Sequence, residues 1–356
     1  MTLPQDHLMD GALIRYIAPP EVGNVIASMG RTEDMAFSPD YKWLVITGFK
    51  KNKLYFFSTN IRQNDNMRSI DIRKYSVISS KGIIQPHGIA FLDNEHILIA
   101  NRGGIVNIFK VPAELGNNAE IDLEPVGRIK SDFRCRVKAP GSIAVVKTDF
   151  GSYRVLAANN YIHTITSHKV DLVHGIKVRN ERVLIRKELD IPDGLCVSRD
   201  RKWVAVSNHS TGTVLIYKLN LDLNRRTPPC GVLEGIVCPH AVRFSKDGDL
   251  LFVVDSASAY FHIYKSTNGD WSSTRKPFKT IRILTDDMFI DGRYNAQEGG
   301  IKGLDINFRD NILAVTSEHL PLAFYDVDEF LRMPTVQVDE EIAEKSRERD
   351  YEIARM

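Results

Sequence analysis

The chain has 356 residues, 43% of them hydrophobic and 26% charged, so it can bury a large core and needs no metal or disulfide to fold. Its 47 basic and 45 acidic residues are dispersed and leave a net charge of +2, which argues against nucleic acid and an anionic membrane as partners. No segment reaches the roughly 18 apolar residues of a membrane helix and the amino terminus lacks a signal-peptide pattern, so we expect a cytoplasmic protein.

The predicted strands form a repeat that runs through most of the chain. In "QPHGIAF" (85–91) an apolar strand follows a turn, and equivalent strands recur before and after it. Aligned on the last apolar residue, six copies are separated by steps of 54, 54, 52, 47 and 62 residues, and they end at Phe37, Phe91, Val145, Val197, Phe244 and Ile306. A period of roughly fifty residues is typical of β-propeller blades.

Each copy continues as an antiparallel meander. In "SRDRKWVAVSNHSTGTVLIYKL" (198–219), turn residues separate strands rich in Val, Ile, Leu and Tyr. A four-stranded meander cannot bury both faces alone, so the copies must stack face to face, and radial closure also protects their edges. The sequence therefore predicts an all-β protein, a six-bladed β-propeller, with a degenerate seventh blade as the alternative.

Two segments lie outside the six copies. Residues 12–18, "ALIRYIA", are predicted to add an outer strand to the last blade and so to close the ring. Helix periodicity is almost absent before residues 338–356, whose charged pattern predicts a terminal helix. We therefore predict one propeller domain over 1–335 and a helical tail over 336–356.

Cysteine spacing and two charged strand residues bear on the interior. The four cysteines show neither CxxC nor zinc-finger spacing, so reduced thiols are the simple interpretation, and a bridge between Cys230 and Cys238 is the alternative. Arg243 and Asp305 occupy equivalent strand positions in consecutive copies. We expect them to pair, because an unpaired buried charge is costly.

Two stretches resemble known propeller repeats. "VAVSNHSTGTVLIYKL" (204–219) is similar to the repeat of YVTN and lactonase-type propellers, and "IPDGLCVSRDRKWVAVSN" (191–208) resembles a blade of the gluconolactonase, or senescence-marker-protein, type. The resemblance implies that the first strand of each blade lines a central channel. It also implies a lactone or ester as substrate and a Ca²⁺ or Mg²⁺ ion held on the axis by oxygen ligands.

Polar residues vary between the copies at two equivalent positions. The first ring, four residues before each anchor, holds Glu33, His87, Gly141, Asp193, His240 and Lys302. The second ring, at the predicted ends of the second strands, holds Thr47, Asn101, Asn159, Asn208, Asp255 and Glu318, with Arg102 and His209 adjacent. The spacing places the end of each second strand beside the start of the first, so both rings are predicted at one rim of the channel. A small residue follows most first-ring positions and is expected to leave room near the axis.

The residue types at this rim point to acid–base or metal chemistry. His87 and His240 are candidate general acids or bases, because imidazole titrates near neutral pH, and Asp193 could orient or charge one of them. The resemblance implies Glu33 and Asp193 as cation ligands, although the Asn that it requires one blade earlier falls at Gly141. The remaining predicted ligand-binding residues are Asn101, Arg102, Asn159, Asn208, His209, Asp255, Lys302 and Glu318.

These observations support two hypotheses of different kinds. The first is a propeller that binds a small molecule at one mouth of its channel and acts as a hydrolase or lyase on a lactone, ester or related metabolite. The second is a non-catalytic propeller that binds a protein or metabolite through its face, and it predicts a plugged channel with an exposed apolar patch. A purely structural role for the polar rings also remains open.

Overall fold

The computed structural model describes residues 11–64 and 67–336, which form six β-sheets. From the innermost strand outwards, blade 1 contains β2 (Thr32–Phe37), β3 (Trp43–Gly48), β4 (Lys53–Ser58), β7 (Tyr75–Ser79) and β11 (Ala119–Asp122). Blade 2 contains β8 (Pro86–Phe91), β9 (His96–Asn101), β10 (Val106–Lys110) and β12 (Gly127–Ile129). Blade 3 contains β13 (Pro140–Asp149), β14 (Ser152–Asn159), β15 (Thr164–Asp171) and β16 (Lys177–Ile185).

The second half of the ring has the same order of strands. Blade 4 contains β17 (Pro192–Val197), β18 (Trp203–Asn208), β19 (Thr213–Lys218), β20 (Gly231–Leu233) and β24 (Ser273–Arg275). Blade 5 contains β21 (Pro239–Phe244), β22 (Leu250–Asp255), β23 (Tyr260–Lys265) and β25 (Lys279–Arg282). Blade 6 contains β26 (Gly303–Asn307), β27 (Ile312–Thr316), β28 (Ala323–Asp326), β1 (Leu13–Ile17), β6 (Met67–Asp71) and β5 (Asn60–Asn64).

The ring closes through the amino-terminal strand. β1 pairs antiparallel with β28, with Leu13 opposite Tyr325, so the start of the chain completes the last blade. The predicted outer strand is therefore confirmed, and so is the prediction of six blades, since the described residues contain no seventh. The predicted helical tail begins at Val336, the last described residue, and otherwise lies outside the described ranges.

The core lies between the blades. Six apolar clusters each combine residues of two adjacent blades, and one of them joins blade 6 to blade 1 around Met35, Ile46, Ala314 and Phe324. The innermost strands also contact their neighbours around the whole ring, β26 against β2 included. Each blade therefore buries both faces, as the repeat predicts.

Helices are few and short. α1 (Pro20–Ser28) begins with Pro20 and buries Val22 and Ile26 against the core, and α2 (Asp286–Gly292) and α3 (Val327–Arg332) lie near the last blade. Two 3₁₀ turns follow β14 and β18, at Asn160–Ile162 and His209–Thr211. Within 11–64 and 67–336, every helix is too short or too polar to span a bilayer.

The first strands are irregular where the first-ring residues lie. The register shifts between Pro192 and Leu195 in blade 4, and shifts at the equivalent place in blades 1, 2, 3 and 5. Such bulges re-aim a side chain. Pro192 lies opposite Asn208 and Pro239 opposite Asp255, so the predicted juxtaposition of the two rings is confirmed in the backbone.

The glycines that follow two first-ring positions serve a different purpose from the one expected. A Cβ atom on Gly194 would lie 1.9 Å from the His240 carbonyl oxygen, and one on Gly88 would lie 2.6 Å from Ser142 Cα. At these two positions the expectation of open space near the axis is wrong, because the backbone of the next blade fills it. Glycine there allows neighbouring inner strands to pack closely.

Interior charges and thiols behave as predicted. Arg243 Nε lies 3.1 Å from Asp305 Oδ1, which confirms the predicted pair, and Nη2 lies 3.2 Å from Asp34 Oδ1 as well. The guanidinium group of Arg243 therefore pairs with two carboxylates, the predicted Asp305 and also Asp34. None of the four cysteines forms a disulfide, so the alternative bridge between Cys230 and Cys238 is not present.

Candidate functional site

Five of the six first-ring side chains converge, and we call them the axial centre: Glu33, His87, Asp193, His240 and Lys302. Glu33 is fully buried, and the other four are at most 5% exposed. The Nε2 atoms of His87 and His240 lie 3.4 and 3.3 Å from Glu33 Oε2. Asp193 Oδ2 lies 3.3 Å from His240 Nε2, and Asp193 Oδ1 lies 3.7 Å from His87 Nε2. The blades thus bring the predicted proton-transfer residues and the predicted cation ligands to one point.

Both imidazole rings are oriented by the backbone. His87 Nδ1 lies 2.7 Å from the carbonyl oxygen of Gly141, and His240 Nδ1 lies 3.0 Å from that of Lys302. A carbonyl oxygen can only accept, so each Nδ1 carries a proton and donates it. In the neutral form of each ring, Nε2 therefore presents its lone pair to Glu33. The two rings stack with their centroids 5.1 Å apart.

The axial centre has the donors of a metal site. Glu33, His87 and His240 each offer one ligand atom, and these atoms lie within 4.8 Å of one another. Glu33 Oε2 is buried, and its contacts with Lys302 Nζ and with the two imidazoles are long, at 3.3 to 3.4 Å, so a closer cation would be a better partner for it. Imidazoles that donate Nδ1–H to carbonyl oxygens are the usual ligands of protein-bound metals. The buried Glu–His–His group could therefore hold a metal ion.

A second layer of charges surrounds Glu33. Arg31 Nε and Lys302 Nζ both contact its carboxylate, the latter at 3.3 Å from Oε2. Both cations also pair with Glu298, and Arg31 donates to the hydroxyl of Tyr294. Burial by itself would raise the pKa of Glu33, but the neighbouring cations and imidazoles, Lys302 foremost, hold that pKa well below its usual range. Glu33 is therefore an anion.

Arg102 forms hydrogen bonds with two residues of the axial centre, Asp193 and His87. Its Nη2 lies 2.9 Å from Asp193 Oδ1 and 2.7 Å from His87 Nε2. Burial would raise the pKa of Asp193, but Arg102 and the two histidines hold it well below the usual value. The Arg102 guanidinium lies 5.6 Å from the centre of the Tyr161 ring, which is largely exposed. Arg102 thus joins the axial centre to the solvent-facing side.

The two histidines of the axial centre differ in basicity. Burial and the adjacent Arg102 lower the pKa of His87 to about 3. Burial opposes the charged form of His240 too, but Asp193 and Glu33 outweigh it and raise its pKa. His87 is therefore the neutral ring, whereas His240 is the ring whose charged form is favoured.

Asn160 occupies the place left by Gly141. Its Nδ2 donates to Asp193 Oδ1 at 2.6 Å, and a Cβ atom on Gly141 would lie 2.2 Å from Asn160 Oδ1. Asn160 Oδ1 is itself buried and accepts no hydrogen bond from the described residues. An amide from the 3₁₀ turn after the second strand of the same blade thus fills the space beside Gly141.

His209 lies on the far side of Asp193. Its Nδ1 is 3.9 Å from Asp193 Oδ2 and accepts no hydrogen bond from the described residues, whereas the ring also bonds the backbone of Pro239. Burial lowers the pKa of His209, so its ring is neutral and able to accept a proton. This predicted ligand-binding residue therefore does lie beside the axial centre.

The second-ring side chains are held within their own blades. Asn101, Asn159, Asn208 and Asp255 each accept a hydrogen bond from a backbone N–H of the loop before the first strand. The donors are Ile84, Lys138, Asp190 and Cys238, at 2.8, 3.0, 2.6 and 3.0 Å. Glu318 instead pairs with Lys50 at 3.5 Å. The contacts of these five residues are structural, and their predicted part in ligand binding remains a prediction.

Three residues of the site were not identified from the sequence. Arg31 and Glu298 lie outside the repeat positions, and Asn160 lies one residue beyond the second-ring position of its blade. The sequence signal for Asn160 was the glycine at the equivalent ring position, Gly141, which leaves a gap that another side chain must fill. The signal for Glu298 was the 62-residue step before the last copy, which indicates an insertion beside the rim.

Comparison with known proteins identifies the fold and leaves the activity open. No protein-family model matches the chain, and no curated protein sequence matches it. A structure of luciferin-regenerating enzyme is similar, with a TM-score of 0.53 and 12% identity over 84% of this chain and 92% of that one. A functionally unknown protein from Desulfotomaculum acetoxidans DSM 771 has a TM-score of 0.50 and 12% identity, over 80% of this chain and 79% of that one. At such identities the likeness supports the propeller fold alone.

Proposed function

We propose that the protein is a metal-dependent enzyme, a hydrolase or lyase that acts on a lactone, ester or related small metabolite at the axial centre. One observation carries the proposal: the Nε2 atoms of His87 and His240 converge on Oε2 of Glu33 in a buried site. The substrate class rests on the resemblance to lactonase-type and gluconolactonase-type propellers. A propeller of this shape can house catalysis, since a similar structure is named as an enzyme.

The donor set favours a transition metal. Ca²⁺ and Mg²⁺ take oxygen ligands, whereas imidazole suits Zn²⁺, Fe²⁺ and their neighbours. Two imidazoles and a carboxylate match the open sites of zinc hydrolases, which keep a fourth position for water or substrate. This proposal therefore replaces the Ca²⁺ or Mg²⁺ implied by the resemblance, while keeping Glu33 as a ligand. Asp193, between both rings, would hold the ion or the water beside it.

The surrounding residues supply the rest of the chemistry. A bound ion would polarise the carbonyl group of the substrate and lower the pKa of water. Asp193 Oδ1 is engaged by Arg102 and Asn160, so Oδ2 remains to orient the attacking water. His209 Nδ1, neutral and unpartnered among the described residues, can take up the proton of that water. Arg102 can bind a carboxylate or phosphate of the ligand.

A second candidate function follows from the contact of Arg102. Its Nη2 donates to the lone pair of His87 that a metal would need, at 2.7 Å. With His87 engaged in this way, the chemistry falls to His240, which lies between two carboxylates and would act as a general acid towards a leaving group. Arg102→Ala separates the two functions. It should tighten Zn²⁺ binding under the metal mechanism, and should leave the protein without Zn²⁺ binding under the acid mechanism.

The proposed function is tested by metal analysis. Elemental analysis of the purified protein, and thermal-shift titrations with Zn²⁺, Mn²⁺, Ca²⁺ and Mg²⁺, would be made on the wild type, Glu33→Gln and His240→Ala, with exposed His174→Ala as the matched control. We expect a stoichiometric transition metal or stabilisation by Zn²⁺ or Mn²⁺ in the wild type and in His174→Ala only. Hydrolysis of γ-lactones and aryl esters would then be assayed on the same set.

Two results would count against the proposal. The same metal content in Glu33→Gln and His240→Ala would place the metal elsewhere. No metal, and no stabilisation by any of the four ions, would leave either acid–base chemistry by His240 or the non-catalytic propeller, and activity assays would separate those two.

A further inference from the structure

The segment between β25 and β26 brings a third carboxylate to the axial centre, beside those of Glu33 and Asp193. It contains α2 and continues to Lys302, and it accounts for the longest step of the repeat. Glu298 on this segment pairs with Lys302 and lies 3.0 Å from Arg31 Nη2. The same two cations contact Glu33, so the four side chains form a closed ring of alternating charge.

Lys302 is held more closely by Glu298 than by Glu33. Its Nζ lies 3.3 and 3.4 Å from the two oxygens of Glu33, at the long end of the hydrogen-bond range, whereas its contact with Glu298 is a short ion pair. Lys302 is 5% exposed, so water cannot substitute for a protein partner. The ammonium group must pair with whichever carboxylate is in reach.

We propose that Glu298 is a positioning residue that holds the ammonium group of Lys302 away from Glu33 Oε2 and so keeps this oxygen free to bind a metal ion. This inference rests on the proposed function, because it assigns a task to a residue outside the metal ligands. Glu33 Oε2 is the ligand atom shared by both imidazoles, and the ammonium group of Lys302, at 3.3 Å, is the group outside the proposed ligands that would compete for it.

Removal of the Glu298 charge would act in two ways. Lys302 would lose its nearer partner and move towards Glu33, where a charge-assisted hydrogen bond shortens to about 2.8 Å. The site would also gain one net positive charge, which opposes the binding of a cation. Both effects weaken metal binding without touching a ligand.

The test compares four variants by Zn²⁺ affinity, measured by competition with a chromophoric chelator. We expect Glu298→Gln to weaken Zn²⁺ binding by about tenfold or more, and Glu298→Asp to lie nearer the wild type. Lys302→Met added to Glu298→Gln should restore most of the affinity, because the competing ammonium group is gone. Asp291→Asn removes the same charge from an exposed position of the segment and should change nothing.

Two outcomes would overturn the inference: unchanged Zn²⁺ affinity in Glu298→Gln, or no recovery in the double variant, which would make Glu298 merely structural. If the wild type contains no metal and binds none of the four ions, the proposed function fails, and crystal structures of the wild type and Glu298→Gln decide the placement of Lys302 separately. A Lys302 Nζ to Glu33 Oε2 distance that shortens in the variant supports it, and an unchanged distance overturns it.

Discussion

Buried histidines in this protein are kept neutral in different ways, and His168 shows the simplest case. It lies in blade 3, with Nδ1 2.7 Å from Asn180 Oδ1 and Nε2 2.8 Å from Thr166 Oγ1. Burial lowers its pKa from the ordinary value of 6.5, and no carboxylate lies close enough to reverse this. His168 is therefore a structural residue, unlike His240, whose two carboxylates favour the charged ring.

His168 should make the fold sensitive to acid. Its pKa is lower in the folded protein than in the unfolded chain, so the unfolded chain takes up the proton first as the pH falls below about 6.5. Stability is thus fully present above that pH and is lost as the pH falls towards the lower folded value. Urea unfolding at several pH values should show a smaller loss in His168→Gln than in the wild type. The control variant, exposed His174→Gln, is expected to lose as much stability as the wild type when the pH falls. A loss in His168→Gln as large as that of the wild type would refute the argument.

The ring alignment predicted most of the axial centre but not its surroundings. Glu33, His87, Asp193, His240 and Lys302 were identified because equivalent positions of a closed ring must approach the axis. Arg31, Asn160 and Glu298 reach the same point from loops and turns, whose paths depend on tertiary contacts that a repeat does not encode. Asn101 and Asn208 bind backbone N–H groups of the adjoining loop, a common use of asparagine at strand ends, and their part in ligand binding remains a prediction.

Strands of this protein were predictable because each repeats the same alternation and the same turn chemistry. The 3₁₀ turns and the three helices were not predictable, because helical elements of fewer than three turns show little hydrophobic periodicity. The first strands also contain bulges that sequence alone does not reveal. These bulges set the direction of His87, Asp193 and His240, so the geometry of the site depends on close contact between neighbouring first strands.

Gly194 offers a direct test of that contact. A Cβ atom there would collide with the His240 carbonyl oxygen at 1.9 Å, and both partners are backbone-constrained. We expect Gly194→Ala to destabilise the protein by about 3 kcal/mol or more in urea unfolding. Gly23→Ala, in α1 with open space around it, is the matched control and should stabilise by ~0.5–1 kcal/mol. A Gly194→Ala variant as stable as the wild type would show that the inner strands are looser than described.

Closure of the ring depends on β1, because it joins the start of the chain to β28 at its end. Strand β1 also pairs in parallel with β6, so its loss would expose edges on both sides. The six clusters between blades form a continuous ring, and opening it at blade 6 weakens the contact with blade 1 as well.

Deletion of residues 1–18 should therefore lower the melting temperature by at least about 10 °C and promote association through the open edge. Deletion of residues 1–10, which leaves β1 in place, is the control. Calorimetry and size-exclusion chromatography would measure both effects. Equal melting temperatures for the two deletions would mean that β1 is dispensable for closure.

The central claim is that Glu33, His87 and His240 bind a metal ion. Anomalous diffraction at the zinc absorption edge, from crystals grown with Zn²⁺, tests it most directly. We predict one strong peak about 2.0–2.2 Å from His87 Nε2, His240 Nε2 and Glu33 Oε2, with Arg102 withdrawn from His87. A map with no peak between these three atoms, and with Arg102 still bonded to His87, would contradict the claim and leave His240 as the centre of the chemistry.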